Sequence, residues 1–302
     1  MTTALALPLS EPTPAPTTVR LAPEPEALRV LPDPVIPDGG LLQYLSASRL
    51  KAWQTCRRQF YFRYVARVPV PTAPALFIGT QVHEILRIWN WARWKEEPLT
   101  PAELRSRFDE SWQTGLMADP AIAWEEATSS DLAREQSWAM LETYFAESPI
   151  LPDEKPEGVE VEVQCELADR DGHGLPPLKG IIDLVRPPGV IVDYKTAART
   201  PDLSLAAHQH ETQLCCYALL YREATGERET GFELHHLIKT KQPKIIVSPL
   251  GPMNAAQESG LYRLIDDYLK GIAREAWIPS PGQHCGWCDH FERCQAWTGG
   301  ES

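Results

Sequence analysis

Gly180-Ile-Ile-Asp183-Leu-Val-Arg-Pro-Pro-Gly-Val-Ile-Val-Asp193-Tyr-Lys195-Thr196 decides how the chain folds. Two apolar runs, 178–186 and 190–195, flank Pro187-Pro188-Gly189, which is a turn signal. Each run reads as a strand, and each carries one aspartate in apolar surroundings. In a hairpin centred near Pro188, Asp183 and Asp193 lie five residues to either side. They are expected to face each other across the ladder, with Cα atoms about 4.5–5.5 Å apart. Lys195 falls two residues past Asp193 and so points to the same face.

Two carboxylates that close repel each other unless a cation lies between them. Magnesium or manganese suits such an oxygen-rich site. A metal there can generate a hydroxide nucleophile and offset charge on a phosphate. The Lys195 ammonium can orient the water or neutralise developing charge. The simpler alternative is a buried salt bridge between Lys195 and one aspartate, with the other at a turn. Two further features could complete a site. His83, in Gly79-Thr-Gln-Val-His83, lies on an expected helix and offers a nitrogen ligand or a packing histidine. Gln213 and Tyr217 are spaced i and i+4 and share one helix face.

Outward from the hairpin, Val159-Glu-Val-Glu-Val163 alternates strictly and predicts a half-buried strand. Strands are also expected at 231–238 and 244–248. Helices are expected from Ser46 through Tyr64, at about 76–96, 101–114, 125–147, 208–224 and 255–275. Ser46 is placed to cap the first of them. This order predicts an α/β fold: a mixed central sheet flanked by helices, with a helical insertion at about 97–150. Residues 1 to about 40 hold nine of the 28 prolines and read as a disordered tail, so the folded domain spans 41–302.

Three of the seven cysteines form the C-x2-C-x5-C run Cys285, Cys288 and Cys294, a spacing that grips a metal site. His284, His290 or Cys56 could supply a fourth ligand. Spacing alone favours zinc, with one Cys or His completing the site, and an iron–sulfur cluster is the second reading. Cys165, Cys215 and Cys216 sit in apolar contexts and read as packing residues. The formal net charge of −12 argues against a polyanionic partner. Locally, however, Arg49, Lys51, Arg57, Arg58, Arg63 and Arg67 lie in a stretch without any acid, and local field decides where a polyanion docks. Arg57, Arg58 and Arg63 are the candidate nucleic-acid contacts. Trp53, Phe60, Tyr61 and Tyr64 could stack on bases or pack inward. No run is apolar enough to span a bilayer, and residues 1–8 make a poor secretion signal, so a cytoplasmic location is expected.

Taken together and in order, these motifs resemble the RecB-type nucleases of the PD-(D/E)XK superfamily. The likeness is to the iron–sulfur branch found in double-strand-break repair complexes and CRISPR-adaptation exonucleases, and it covers about Leu45 to Cys294. It implies a restriction-endonuclease-like core with a C-terminal four-cysteine cluster. It also implies Mg2+ or Mn2+ held by His83, Asp183, Asp193 and the Tyr194 carbonyl, with Lys195 catalytic and Gln213 and Tyr217 near the DNA. Cys56, Cys285, Cys288 and Cys294 would hold a [4Fe–4S] cluster, with zinc as the alternative. Thr55-Cys56-Arg57 departs from the family pattern, which often has proline after the cysteine. No Gly-x4-Gly-Lys-Ser/Thr loop is visible, so any helicase or other repair or recombination partner would be a separate protein. The competing functions are a catalytically silent nucleic-acid-binding or scaffold subunit, and a structural zinc protein.

Overall fold

The computed structural model describes residues 40–124, 129–151, 153–169 and 171–296. The proline-rich segment lies outside the described residues apart from Gly40. The hairpin forms as β2 (Gly174–Arg186) and β3 (Val190–Ala197), joined through Pro187, Pro188 and Gly189, whose positive φ of 74° favours glycine. Strand β1 (Gly158–Ala168) precedes it, and β4 (Gly231–Ile238) and β5 (Lys244–Leu250) follow. The five strands lie in sequence order. All neighbours are antiparallel except β3 and β4, which are parallel. A parallel pair needs a crossover, and helix α6 (Leu203–Thr225) provides it. Its start is capped by Asp202 and its end by left-handed Gly226.

Helices cover both faces. On one lie α1 (Ala47–Thr55), α6 and α7 (Ala255–Ala273), which bury Leu50, Trp53, Leu220, Ile265 and Tyr268 against Val161, Ile182 and Ile191. On the other lie α3 (Pro74–Trp94), α4 (Pro101–Ala118) and α5 (Ser130–Glu147). Val82, Leu86, Phe108, Trp112 and Leu141 there pack on Val159, Leu184, Val192 and Leu237. The helices of the expected insertion thus build one of the two apolar layers together with α3. Each fully buried side chain of this size stabilises by about 1.5–3 kcal/mol.

The helix expected from Ser46 through Tyr64 is broken. Ser46 caps α1 as expected, but Cys56 is extended (φ −164°, ψ 114°). The chain restarts as the short α2 (Arg57–Phe60) and a π-helical turn, Tyr61–Val65. Trp53 and Phe60 stack edge to face with Tyr268 in the core, so neither is available to a base. A 3-10 turn (Gln283–Trp287) and α8 (Phe291–Ala296) end the described chain.

Candidate active site

Alternation along β3 sends Ile191, Asp193 and Lys195 toward α6, and Val192 and Tyr194 toward α3. Lys195 Nζ lies 2.6 Å from Asp193 Oδ2 and donates to Gln213 Oε1 at 3.0 Å. Gln213 Nε2 donates to Asp193 Oδ1 (3.0 Å) and to the Tyr217 hydroxyl (2.9 Å). One amide from α6 therefore holds both charged groups of β3. Tyr194 is anchored on the opposite face, where Asn90 Nδ2 of α3 donates to its hydroxyl at 3.0 Å. That anchor fixes the peptide whose carbonyl accepts from His83 Nε2 at 3.1 Å. His83 Nδ1 lies 3.6 Å from Asp183 Oδ2.

The two aspartates do not face each other across a continuous ladder. The β2–β3 register ends at Leu184 and Val192, one position short of the acidic pair. Beyond it, Asp183 Oδ2 accepts the Tyr194 backbone N–H at 3.0 Å. The aspartates thus sit on either side of the Tyr194 peptide, one toward His83 and one toward Gln213.

The defect in the sheet extends to β1. Val159 pairs with Leu184 and Val161 with Ile182, but Glu160 and Asp183 between them are unpaired. Glu160 has φ +48°, a region that costs a non-glycine residue about 1–3 kcal/mol. Both strands change face at this point: Val159 and Leu184 pack in the α3 layer, Val161 and Ile182 in the α6 layer. Glu160 is thereby brought into the field of Asp183, His83, Arg87 and Glu84. The alternating sequence gave no sign of this residue, because it placed Glu160 and Glu162 on one solvent face.

The protonation states reflect the crowding. Burial pushes Glu160 up to about 8, and the Asp183 charge adds to it. Burial also raises Asp193, despite Lys195 beside it. At Asp183 burial acts upward, but His83, Lys195 and the Tyr194 N–H together hold the carboxyl below its ordinary value. Burial opposes charge on His83, yet Asp183 raises it to about 9. The surroundings of His83, a carboxylate on one side and a carbonyl on the other, therefore favour positive charge between them. This is a place where the chain itself calls for a cation. Asp193 Oδ2 points the same way, because it is buried, close to Lys195, and accepts no hydrogen bond of good geometry. One imidazole, a carbonyl and carboxylates are the donors that Mg2+ or Mn2+ takes, so the residues fit such an ion.

Among the described residues, only Asp169, Asp171 and His173 place three potential ligand atoms within 4.8 Å of one another. They form the turn between β1 and β2, where Asp169 accepts the backbone N–H groups of Asp171 and His173, and the arrangement closes on itself.

Residues 44–295 match the PD-(D/E)XK nuclease superfamily. The chain belongs to that superfamily. Members of the PD-(D/E)XK nucleases use divalent metals such as Mg2+ or Mn2+. A crystal structure from Eubacterium rectale described as a "Putative exonuclease" aligns with a TM-score of 0.56 at 16% identity, covering 86% of this chain and 91% of that one. At that identity the likeness concerns the fold, which is the restriction-endonuclease-like arrangement of a mixed sheet between helices. A second solved structure, SSO0001, aligns at 12% identity over 84% of this chain and 86% of that one, with a TM-score of 0.40 too low to carry an argument. No curated protein matches the chain in sequence.

Elsewhere in this PD-(D/E)XK chain, the fold carries Cys56 to the C-terminal cysteines. Cys56 Sγ accepts the Ser280 N–H at 3.4 Å, and Arg58 donates to the carbonyls of Trp277 and Cys294. Burial raises Cys288, with Cys56 and Cys285 among the neighbours that act on it. Of the two histidines weighed as ligands, His290 is buried against the Phe62 ring. Gly282 and His284 share the turn that leads into Cys285.

The arginines expected at nucleic acid are largely engaged within the fold. Arg57 Nη2 donates to both carboxylate oxygens of Asp267 and stacks on Trp53. Arg58 holds the C-terminal carbonyls, and Arg63 lies over the Tyr64 ring. Arg49 is buried and donates to the Tyr44 carbonyl at 2.7 Å. Within the basic stretch that the sequence offered to a polyanion, Arg57 and Arg58 thus join the start of the fold to its end. Among the described residues, no helix is long and apolar enough to cross a membrane.

Proposed function

We propose that this protein is a Mg2+- or Mn2+-dependent deoxyribonuclease, acting as an exonuclease at single-stranded ends in repair, recombination or CRISPR adaptation. The carrying observation is the coupled set around the Tyr194 peptide. On one side, Lys195 is held by Asp193 and Gln213; on the other, Asp183 and His83 flank the Tyr194 carbonyl. His83, Asp183, Asp193 and that carbonyl would hold the ion. When bound, it supplies a hydroxide nucleophile at neutral pH and offsets charge on the phosphate. Lys195 faces the incoming phosphate with its ammonium pinned in place, so it orients the attacking water without reorganising. Gln213 fixes Lys195 and Asp193 to each other, and Tyr217 fixes Gln213. A silent binding subunit would have no use for this interlock.

The cysteines support a [4Fe–4S] cluster on the RecB-type pattern. Cys56 lies beside the segment that leads into Cys285, Cys288 and Cys294, and a single zinc ion on the same thiols is the alternative. DNA is the proposed substrate, and a separate motor or repair protein the proposed partner, in the cytoplasm. The test is cleavage of end-labelled single- and double-stranded DNA by protein purified without oxygen. Cleavage with Mg2+ or Mn2+, lost in EDTA and restored by excess metal, is the expected result. Cleavage unaffected by EDTA, or none from folded, metal-replete protein, would overturn it.

A further inference from the structure

A second group of polar side chains surrounds the α6 side of Lys195, and the proposed reaction uses none of it. His236 of β4 stands opposite Lys195 in the parallel register. It is 3% exposed, and its Nε2 is buried without a hydrogen-bond partner. His210 lies one turn before Gln213 on α6, and its Nδ1 is likewise buried and unpartnered. The middle of α6 is tied to α1, where Thr212 Oγ1 donates to Gln54 Oε1 at 3.1 Å. One turn earlier on α1, Lys51 lines an open groove with Ser48, Ala52, Thr55, Gln59 and Arg63. No carboxylate among the described residues comes within ion-pairing distance of Lys51.

These residues act on one another. Burial lowers Lys51, the Lys195 ammonium lowers it further, and only Asp193 works against them. His210 is pushed down to about 3, first by burial and then by Lys195, Lys51 and His236. The four side chains come from α1, β3, α6 and β4; Asp193 acts on Lys51 and Lys195, and Asp183 acts on Lys195 as well. Two orphaned imidazole nitrogens and two ammonium groups in one place are an unfavourable arrangement for the protein alone, since buried polar atoms without partners are costly. An anion with several acceptor oxygens relieves both the repulsion and the missing hydrogen bonds.

We infer that Lys51, His210 and His236 form a phosphate-binding subsite that holds a phosphodiester of the DNA strand next to the scissile one. This rests on the nuclease reading. The groove beside Lys51 continues the path outward along α1. Lys51 meets the phosphate at the surface, and the two histidines contact it from below. The subsite would fix the strand's register against Lys195, so its loss weakens binding more than turnover.

The test is the binding of a short, fluorescein-labelled single strand with a 5′-hydroxyl, in EDTA so that nothing is cleaved, across a salt series. Each lost phosphate contact on a single strand lowers the slope of log Kd against log salt by about 0.7. Lys51→Gln is expected to lower the slope by that amount and weaken binding several-fold. His210→Gln should also weaken binding several-fold, with both variants melting like the wild type. Lys155→Gln, which removes a surface lysine paired with Glu96, should leave the slope unchanged. With metal added, Lys51→Gln should raise KM several-fold with kcat within twofold. Wild-type slope and wild-type KM in both Lys51→Gln and His210→Gln would overturn the subsite. A wild-type protein that binds the strand with this slope difference but never cleaves would overturn the nuclease reading and leave the subsite standing.

Discussion

At the scale of single residues, the site is set by what Gln213 and Tyr194 hold in place. Gln213 touches Lys195, Asp193 and Tyr217 at once, within 2.9–3.0 Å. Gln213→Ala is expected to fold normally and lose on the order of 10–100-fold in kcat, typical of a residue that orients a ligand and a catalytic group. Steady-state cleavage together with a thermal melt checks this; an unchanged kcat would show that Lys195 needs no such support. Asp183, Asp193 and Lys195 were legible in the sequence because charged residues inside apolar strands are costly and conspicuous. Glu160 was not legible. In Val159-Glu160-Val161-Glu162-Val163 a regular strand puts both glutamates outward, and only a backbone irregularity at φ +48° turns one of them toward Asp183. His210, His236 and Lys51 were hidden for another reason: they are far apart in the chain, and each is commonplace alone.

At the scale of elements, the hairpin and its crossover helix carry the site, and a buried ion pair clamps the end of that helix. Arg222 of α6 meets both oxygens of Glu229 at 2.8 Å, just before β4, and Glu229 also accepts the Met253 N–H. Burial pushes the Glu229 carboxyl up, but Arg222 and the Met253 N–H more than offset this, so it titrates below the ordinary 4.5. A carboxyl lowered on folding contributes stability above its unfolded value and loses it as pH falls through the folded one. Glu229→Gln should therefore cost about 3 kcal/mol in urea unfolding at neutral pH, the cost of stranding one member of a buried pair. The difference between variant and wild type should shrink below about pH 4; a difference that grows in acid would contradict the assignment. The order of strands and helices followed from period and turn signals. The break at Cys56 did not, because neither proline nor glycine marks it, and the extended backbone there is set by packing of Trp53 and Phe60 beneath it.

At the scale of the whole molecule, two apolar layers sandwich a mixed sheet, and the first and last elements of the described fold meet beside α1 and α2. The Arg57–Asp267 pair and the Arg58 contacts to Trp277 and Cys294 already join regions more than 200 residues apart in sequence. A cluster on Cys56 and the three C-terminal cysteines would close that loop covalently through metal and remove entropy from the unfolded chain. Cys56→Ala is expected to lose most of its iron and to melt at lower temperature, with iron content and calorimetry as the readouts. Retention of both would exclude Cys56 as a ligand of such a cluster. The net charge of −12 points away from a polyanionic partner at this scale, whereas the proposed subsite draws on positive charge gathered locally, at Lys51 beside Lys195. The rate of DNA cleavage by Asp193→Ala at saturating Mn2+ tests whether Asp193 belongs to a metal-dependent hydrolytic centre. A correctly folded variant slowed on the order of 10³-fold or more, equivalent to several kcal/mol of transition-state stabilisation, is the predicted result. A rate within tenfold of wild type would contradict it.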